Sequence, residues 1–170
     1  MELTTFIQDE FDRVSRATTR TVDSLSQYEL MWRPGPEANS IGLILLHIAR
    51  SEDIFVQARV QGKPQEWESE KWYEKLNFQA GDTGSGYTRE QVAAFAVPEL
   101  KDLLGYAEAV RTQTVQYLKG LTPDGFDKLI NMPRIGDITI GAVFSLIAVH
   151  LAQHTGEISY LRGLQRGMNK

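Results

Sequence analysis

Apolar residues recur every three to four positions along nearly all of this 170-residue chain, and that helical period points to an all-α fold. Leu3, Phe6, Ile7, Phe11, Val14, Thr18, Val22 and Leu25 form the first stripe, which predicts a helix over roughly residues 3–26. Pro34, Gly35 and Pro36 then break the chain. Ser40 is a suitable N-cap for a second helix over residues 41–61, and Gly62-Lys63-Pro64 stops it. Thr88-Arg-Glu-Gln91 matches a capping box and opens a third helix over residues 88–118. Pro98 within it predicts either a kink there or a helix proper that starts near Val97 with Pro98 in its first turn. Residues 124–137 read as a loop, and residues 139–164 as a fourth helix stopped by Gly167. No segment alternates convincingly as a strand. The expected fold is an all-α four-helix bundle, and the length prior makes residues 1–170 one domain.

The connection over residues 65–87 carries Trp67, Trp72, Tyr73 and Phe78 and ends in Gly81-Asp-Thr-Gly-Ser-Gly86. A connection this long inside a compact domain is usually functional or partly helical. Its glycines do not make a phosphate cradle, because no hydrophobic strand precedes them and no Gly-Lys-Ser/Thr follows. They read as a flexible turn.

Charge and composition narrow the partners. The net charge of −4 opposes nucleic-acid binding, which needs a basic stripe to displace counterions. With no cysteine, disulfides and thiolate metal sites are excluded, and any thiol chemistry must use a thiol from outside. The first ten residues are acidic and lack the basic start and apolar core of a signal peptide. The least polar run, residues 138–151, falls short of the roughly 18–20 residues of a membrane helix. A soluble, cytoplasmic protein acting on a small molecule, with no nucleic-acid or membrane partner, is expected.

The chain has three histidines, His47, His150 and His154, and the last two stand four apart in His150-Leu-Ala-Gln-His154. Residues four apart share a helix face. Val143, Ile147, His150, His154, Ile158 and Leu161 fall on one stripe, and Ile44, His47, Ser51 and Ile54 on another, so all three imidazoles are expected to point inward. A lone inward histidine is more often a satisfied core residue. Three together, with none left for the surface, favour ligands, since each ring has a donor and an acceptor that need partners. Three neutral nitrogens would hold a divalent metal and leave an open position, as reactive sites do. Imidazole suits zinc, nickel and iron alike.

Glu157, three residues after His154, can serve as a fourth ligand, as a partner for an imidazole N–H, or as a general base on metal-activated water. It can equally be an edge carboxylate paired with Arg162 or Lys170. Arg50, one turn beyond His47, and Arg162, two turns beyond His154, are candidates to hold an anionic substrate, or else solvated charges. Glu52 and Asp53 read as surface charges.

The stretch Met31-Trp-Arg-Pro-Gly-Pro-Glu-Ala-Asn-Ser-Ile-Gly-Leu-Ile-Leu-Leu-His47-Ile-Ala resembles the loop and second helix of the DinB/YfiT-like superfamily. His150-Leu-Ala-Gln-His154-Thr-Gly-Glu-Ile-Ser-Tyr-Leu-Arg-Gly-Leu164 resembles its last helix. The resemblance implies an up-down-down-up four-helix bundle and a divalent metal, often zinc or nickel, on His47, His150 and His154. It also implies a homodimer. Some relatives are transferases or isomerases that use a low-molecular-weight thiol such as bacillithiol or mycothiol, and many are described as metal-dependent hydrolases.

Three functions are compatible with these residues. In a thiol transferase, the ion would take the proton from a coordinating thiol and make it a nucleophile. In a hydrolase, it would acidify water, with Glu157 as the base. In a non-catalytic protein, it would staple the helices or report metal supply. Thiol transfer is placed first.

Overall fold

The structure is a computed structural model that describes residues 2–133 and 135–167. Four helices are long: α1 (Leu3–Val22), α3 (Ile41–Asp53), α7 (Leu100–Lys119) and α9 (Ile140–Arg166). Short helices fill the connections: α2 (Gln27–Met31), α4 (Glu66–Ser69), α5 (Trp72–Lys75), α6 (Arg89–Ala93) and α8 (Pro123–Phe126). α1 packs on α9, and α3 packs on both α9 and α7. Their shared core includes Phe11, Leu46, Leu103, Val110, Phe144 and Ile147, all buried. Each such side chain stabilises the fold by about 1.5–3 kcal/mol relative to an exposed one.

Local chemistry explains most boundaries. Ser40 accepts from the Leu43 N–H at 3.2 Å, so α3 starts at its expected cap, and Thr139, expected as the first residue of the last helix, instead caps α9 by accepting from the Ala142 N–H at 3.1 Å. Gly167 ends α9 with φ +85°. The first helix ends at Val22, four residues short of the expected residue 26. Ser24 turns left-handed, and Ser26 opens α2 with a capping box to Glu29. That Ser-x-x-Glu signal was present in the sequence and was outvoted by periodicity.

The expected second helix changes type partway. Ile41–Asp53 is α-helical, but Ile54–Val60 is a π-helix, and this shifts the register of every later side chain. The expected third helix is split. Its Thr88 capping box forms and opens only α6, while Pro98 lies in the break before α7. The absence of strands is corrected too. Inside the expected 124–137 loop, β1 (Leu129–Met132) pairs antiparallel with β2 (Gly136–Thr139), with Ile130 opposite Ile138. Four residues per strand are too few for alternation to declare itself. Among the described residues no helix is long and apolar enough to cross a membrane.

Candidate metal centre

α3 carries His47 to its contact with α9, and α9 answers with His150 and His154. Nε2 of His150 lies 3.1 Å from Nε2 of His47 and 3.1 Å from Nε2 of His154. The rings meet edge to face, so nitrogen and not carbon fills the centre of the cluster. The three are half-buried and sit at the α3–α9 seam instead of in the core. The reason is the helical period. The core stripe of α9 runs through Ile147, Leu151, Thr155 and Ile158, and each histidine lies one position back, about 100° around the helix.

The outer nitrogens fix the inner ones. Nδ1 of His47 donates to the Gly84 carbonyl at 2.9 Å with the Ser85 hydroxyl oxygen also 3.0 Å away, and Nδ1 of His154 donates to the Glu157 carboxylate at 2.7 Å. Neither the Gly84 carbonyl nor the Glu157 carboxylate can donate, so in the neutral rings both Nε2 atoms carry lone pairs. His150 Nε2 reaches both of them and has at most one proton to give. Without a cation, at least one pair of lone pairs would face each other. With one, the spacing is close to the roughly 3.3 Å that separates nitrogens about 2.05 Å from a tetrahedral ion. The donor set fits a divalent metal.

Electrostatics support ligation. Burial pushes the His47 pKa below its ordinary value. Burial, reinforced by the neighbouring His154 and His47, pushes His150 down to about 4. Both are therefore neutral at physiological pH, as ligands must be. The Glu157 carboxylate takes the second of its three expected roles, partner to an imidazole N–H. Lys170, its alternative partner, lies outside the described residues.

Arg50 is corrected from substrate clamp to internal strut. It is 2% exposed, and its guanidinium lies 4.3 Å over the Trp67 ring. It donates to the Asp82 carbonyl at 2.9 and 3.2 Å, to Gln65 at 2.9 Å and to the Tyr106 hydroxyl oxygen at 3.1 Å. Glu52 and Asp53, expected at the surface, are both buried. Glu52 pairs with Arg111 at 2.6 and 2.8 Å. Asp53 accepts from the Glu66 and Trp67 N–H groups at 2.9 Å and from the Tyr106 hydroxyl at 2.7 Å. Burial pushes the Asp53 pKa up, and these donors oppose it. Arg162 is half-buried with its Nε unpaired, and it does not line the cleft at His47 and His154.

These buried charges hold the 65–87 connection against α3. Trp67 packs beside Tyr73, Phe78 and Tyr106 and donates to the Ala80 carbonyl at 2.9 Å. The glycine run is then not a free turn. Asp82 accepts from the Gly84 N–H at 2.8 Å and the Tyr87 hydroxyl at 2.6 Å, which aims the Gly84 carbonyl at His47. Gly84 has φ +67°, and a Cβ there would lie 2.8 Å from Arg50 Cγ. Glycine is thus required twice over, by conformation and by space. The result is a cleft of about 200 Å³ that His47 and His154 line, with Asn39, Ser85 and Tyr87 among its walls. Sequence reading missed Asn39, Gly84, Ser85 and Tyr87. The one available signal was four large aromatics in a segment otherwise polar enough to be a loop.

The chain has relatives. A structure of a conserved protein from Enterococcus faecalis is similar to it, 23% identical, with a TM-score of 0.85 over 96% of this chain and 97% of that one. At that identity the likeness speaks for the fold alone. No curated relative matches at a significant level. The sequence profile of the DinB superfamily, however, matches residues 10–158, a span that takes in all three histidines and the segment that orients them. On that match the chain belongs to the DinB superfamily.

Proposed function

We propose that this protein is a cytoplasmic, divalent-metal-dependent enzyme, an up-down-down-up four-helix bundle, that transfers a low-molecular-weight thiol to a small electrophile. Zinc or nickel on His47, His150 and His154 would supply a Lewis acid that makes a coordinating thiol give up its proton. The observation that carries the preference over hydrolysis is the lining of the cleft. Among the described residues it includes no Asp or Glu, and Glu157 is committed to His154. Water attack needs a base beside the metal, whereas a thiol acidified by coordination does not.

The chain's own residues would do the rest. His47 and His154 are held in the ligating tautomer by Gly84 and Glu157. Leu43, Ile44 and Val92 provide apolar wall for the electrophile, and the Asn39 amide and Ser85 hydroxyl stand at the cleft as polar handles. The sulfur forms the new bond to the electrophilic carbon, the leaving group departs with the old bonding pair, and the thiol proton goes to solvent. The absence of cysteine keeps the chain from forming a mixed disulfide with its co-substrate.

A homodimer is part of the proposal. The exposed side of α9 carries Val149, Tyr160 and Leu164 with the small Ala142, Ala152 and Gly156 between them, beside the polar Ser145, Gln153, Glu157 and Ser159. An apolar strip rimmed by polar residues suits the surface of a second copy. Val149→Arg is expected to yield monomers in sedimentation velocity.

The deciding experiment pairs elemental analysis with turnover. Untagged wild type should hold near-stoichiometric divalent metal that His150→Ala lacks. The loaded protein should join bacillithiol or mycothiol to monochlorobimane, with chloride released, faster than it cleaves 4-nitrophenyl acetate. Metal retention in His150→Ala would overturn the site, and ester cleavage alone would turn the reading to hydrolysis.

A further inference from the structure

We propose a second ligand site, remote from the histidines, that takes an organic ammonium with a hydrocarbon body in the cavity between α1, α3 and α7. The cavity is about 370 Å³, within the ordinary range for small-molecule pockets. Leu45 and Ile48 of α3, Leu103, Leu104 and Ala107 of α7, and Leu151 of α9 form its apolar wall. It exists because the α1–α7 edge is the loosely packed one. α1 leans on α9, and α7 leans on α3, so the two outer helices meet little. A bridge across that gap closes one part of it. Arg111 of α7 reaches Glu52 of α3 and donates to the Ser15 hydroxyl of α1 at 3.1 Å, its guanidinium 4.5 Å over the Phe11 ring.

The charges on the lining select the ligand. Among the described residues, Asp12, Glu52 and Glu108 are its carboxylates, and Arg111 is its one cation. Glu52 takes Arg111 with both oxygens, at 2.8 and 2.6 Å. Asp12 and Glu108 make no direct ion pair among the described residues, although both lie near enough to Arg111 to raise its pKa. Three carboxylates against one guanidinium leave the lining net negative, which opposes an anion and favours a cation. An ammonium group at the Asp12 and Glu108 side, with its hydrocarbon against the leucines, satisfies both the charge and the apolar wall. The site does not share the metal centre. On α3 it uses Leu45, Ile48 and Glu52, whereas His47 faces the α9 seam and lines the other cleft.

Calorimetric titration of metal-loaded protein with hexylammonium, hexanoate and 1-hexanol tests this. Hexylammonium should bind at least about tenfold more tightly than hexanoate. Asp12→Asn with Glu108→Gln, both outside the core, should weaken hexylammonium about three- to tenfold and leave 1-hexanol unchanged. Ala107→Phe, which fills the cavity, should abolish binding of both. His150→Ala should bind hexylammonium as wild type does, whether or not the metal centre is catalytic. No binding of hexylammonium, equal binding of hexanoate, or loss in His150→Ala would each overturn the proposal.

Discussion

The Gly84 carbonyl accepts a hydrogen bond from Nδ1 of His47 at 2.9 Å, and that contact, beside the Ser85 hydroxyl 3.0 Å from the same nitrogen, leaves Nε2 of His47 free for a metal. Gly84 can hold it only with φ +67° and no side chain, because a Cβ would stand 2.8 Å from Arg50 Cγ. Gly84→Ala is therefore expected to displace the carbonyl and lower metal affinity about 10- to 100-fold. Competition with a chromophoric chelator measures it, and unchanged affinity would remove Gly84 from the site.

Glu157 does the same for His154 from the opposite side, but from an exposed position, with a side chain 54% accessible. Glu157→Ala should also cost about 10- to 100-fold in metal affinity. Away from the core it should change unfolding free energy by less than about 0.5 kcal/mol. The pair of numbers, by chelator competition and urea titration, separates orientation of a ligand from support of the fold.

Arg50 should behave in the reverse way. Its removal leaves Asp53 buried and releases Asp82 and Gln65, so Arg50→Met is expected to destabilise the protein by about 3–5 kcal/mol in urea. Arg50→Met with Asp53→Asn should recover part of that loss, since the uncompensated carboxylate is gone. A double variant no better than the single one would mean that the loop contacts, and not the charge, carry the effect.

Acid should act on the histidines before it acts on the surface pairs. The His150 pKa is depressed from 6.5 to about 4, so the unfolded chain binds this proton first. The contribution of neutral His150 is thus complete above about pH 6.5 and is lost as pH falls toward about 4. Glu29, held down to about 2 by Arg166 and by Ser26, loses its contribution lower still, between about 4.5 and 2. Chemical denaturation of metal-free protein across this range should show two falls, and His150→Ala should shrink the first one, leaving the share of His47, whose pKa burial also lowers. A single fall below pH 4.5 in both proteins would show that His150 titrates normally.

What the sequence determined by itself was whatever depends on residues close in the chain. Helical period, the caps at Ser40 and Thr88, the stop at Gly167 and the i, i+4 pairing of His150 with His154 are all local, and all were legible. Even the local signals competed. The stripe through Leu25 hid the Ser26 capping box, while Pro98 marked the break between α6 and α7 under one of its two readings, a helix start near Val97 against the observed start at Leu100. The tertiary structure decided what each charged or polar side chain faces. Asp53 meets backbone N–H groups 13 and 14 residues away, Glu52 meets Arg111 59 residues away, and His47 meets Gly84 37 residues away. No periodicity encodes such distances. A charge is placed at the surface by default because burying it alone is costly, and only the partner that cancels the cost, which folding alone brings near, reverses the assignment.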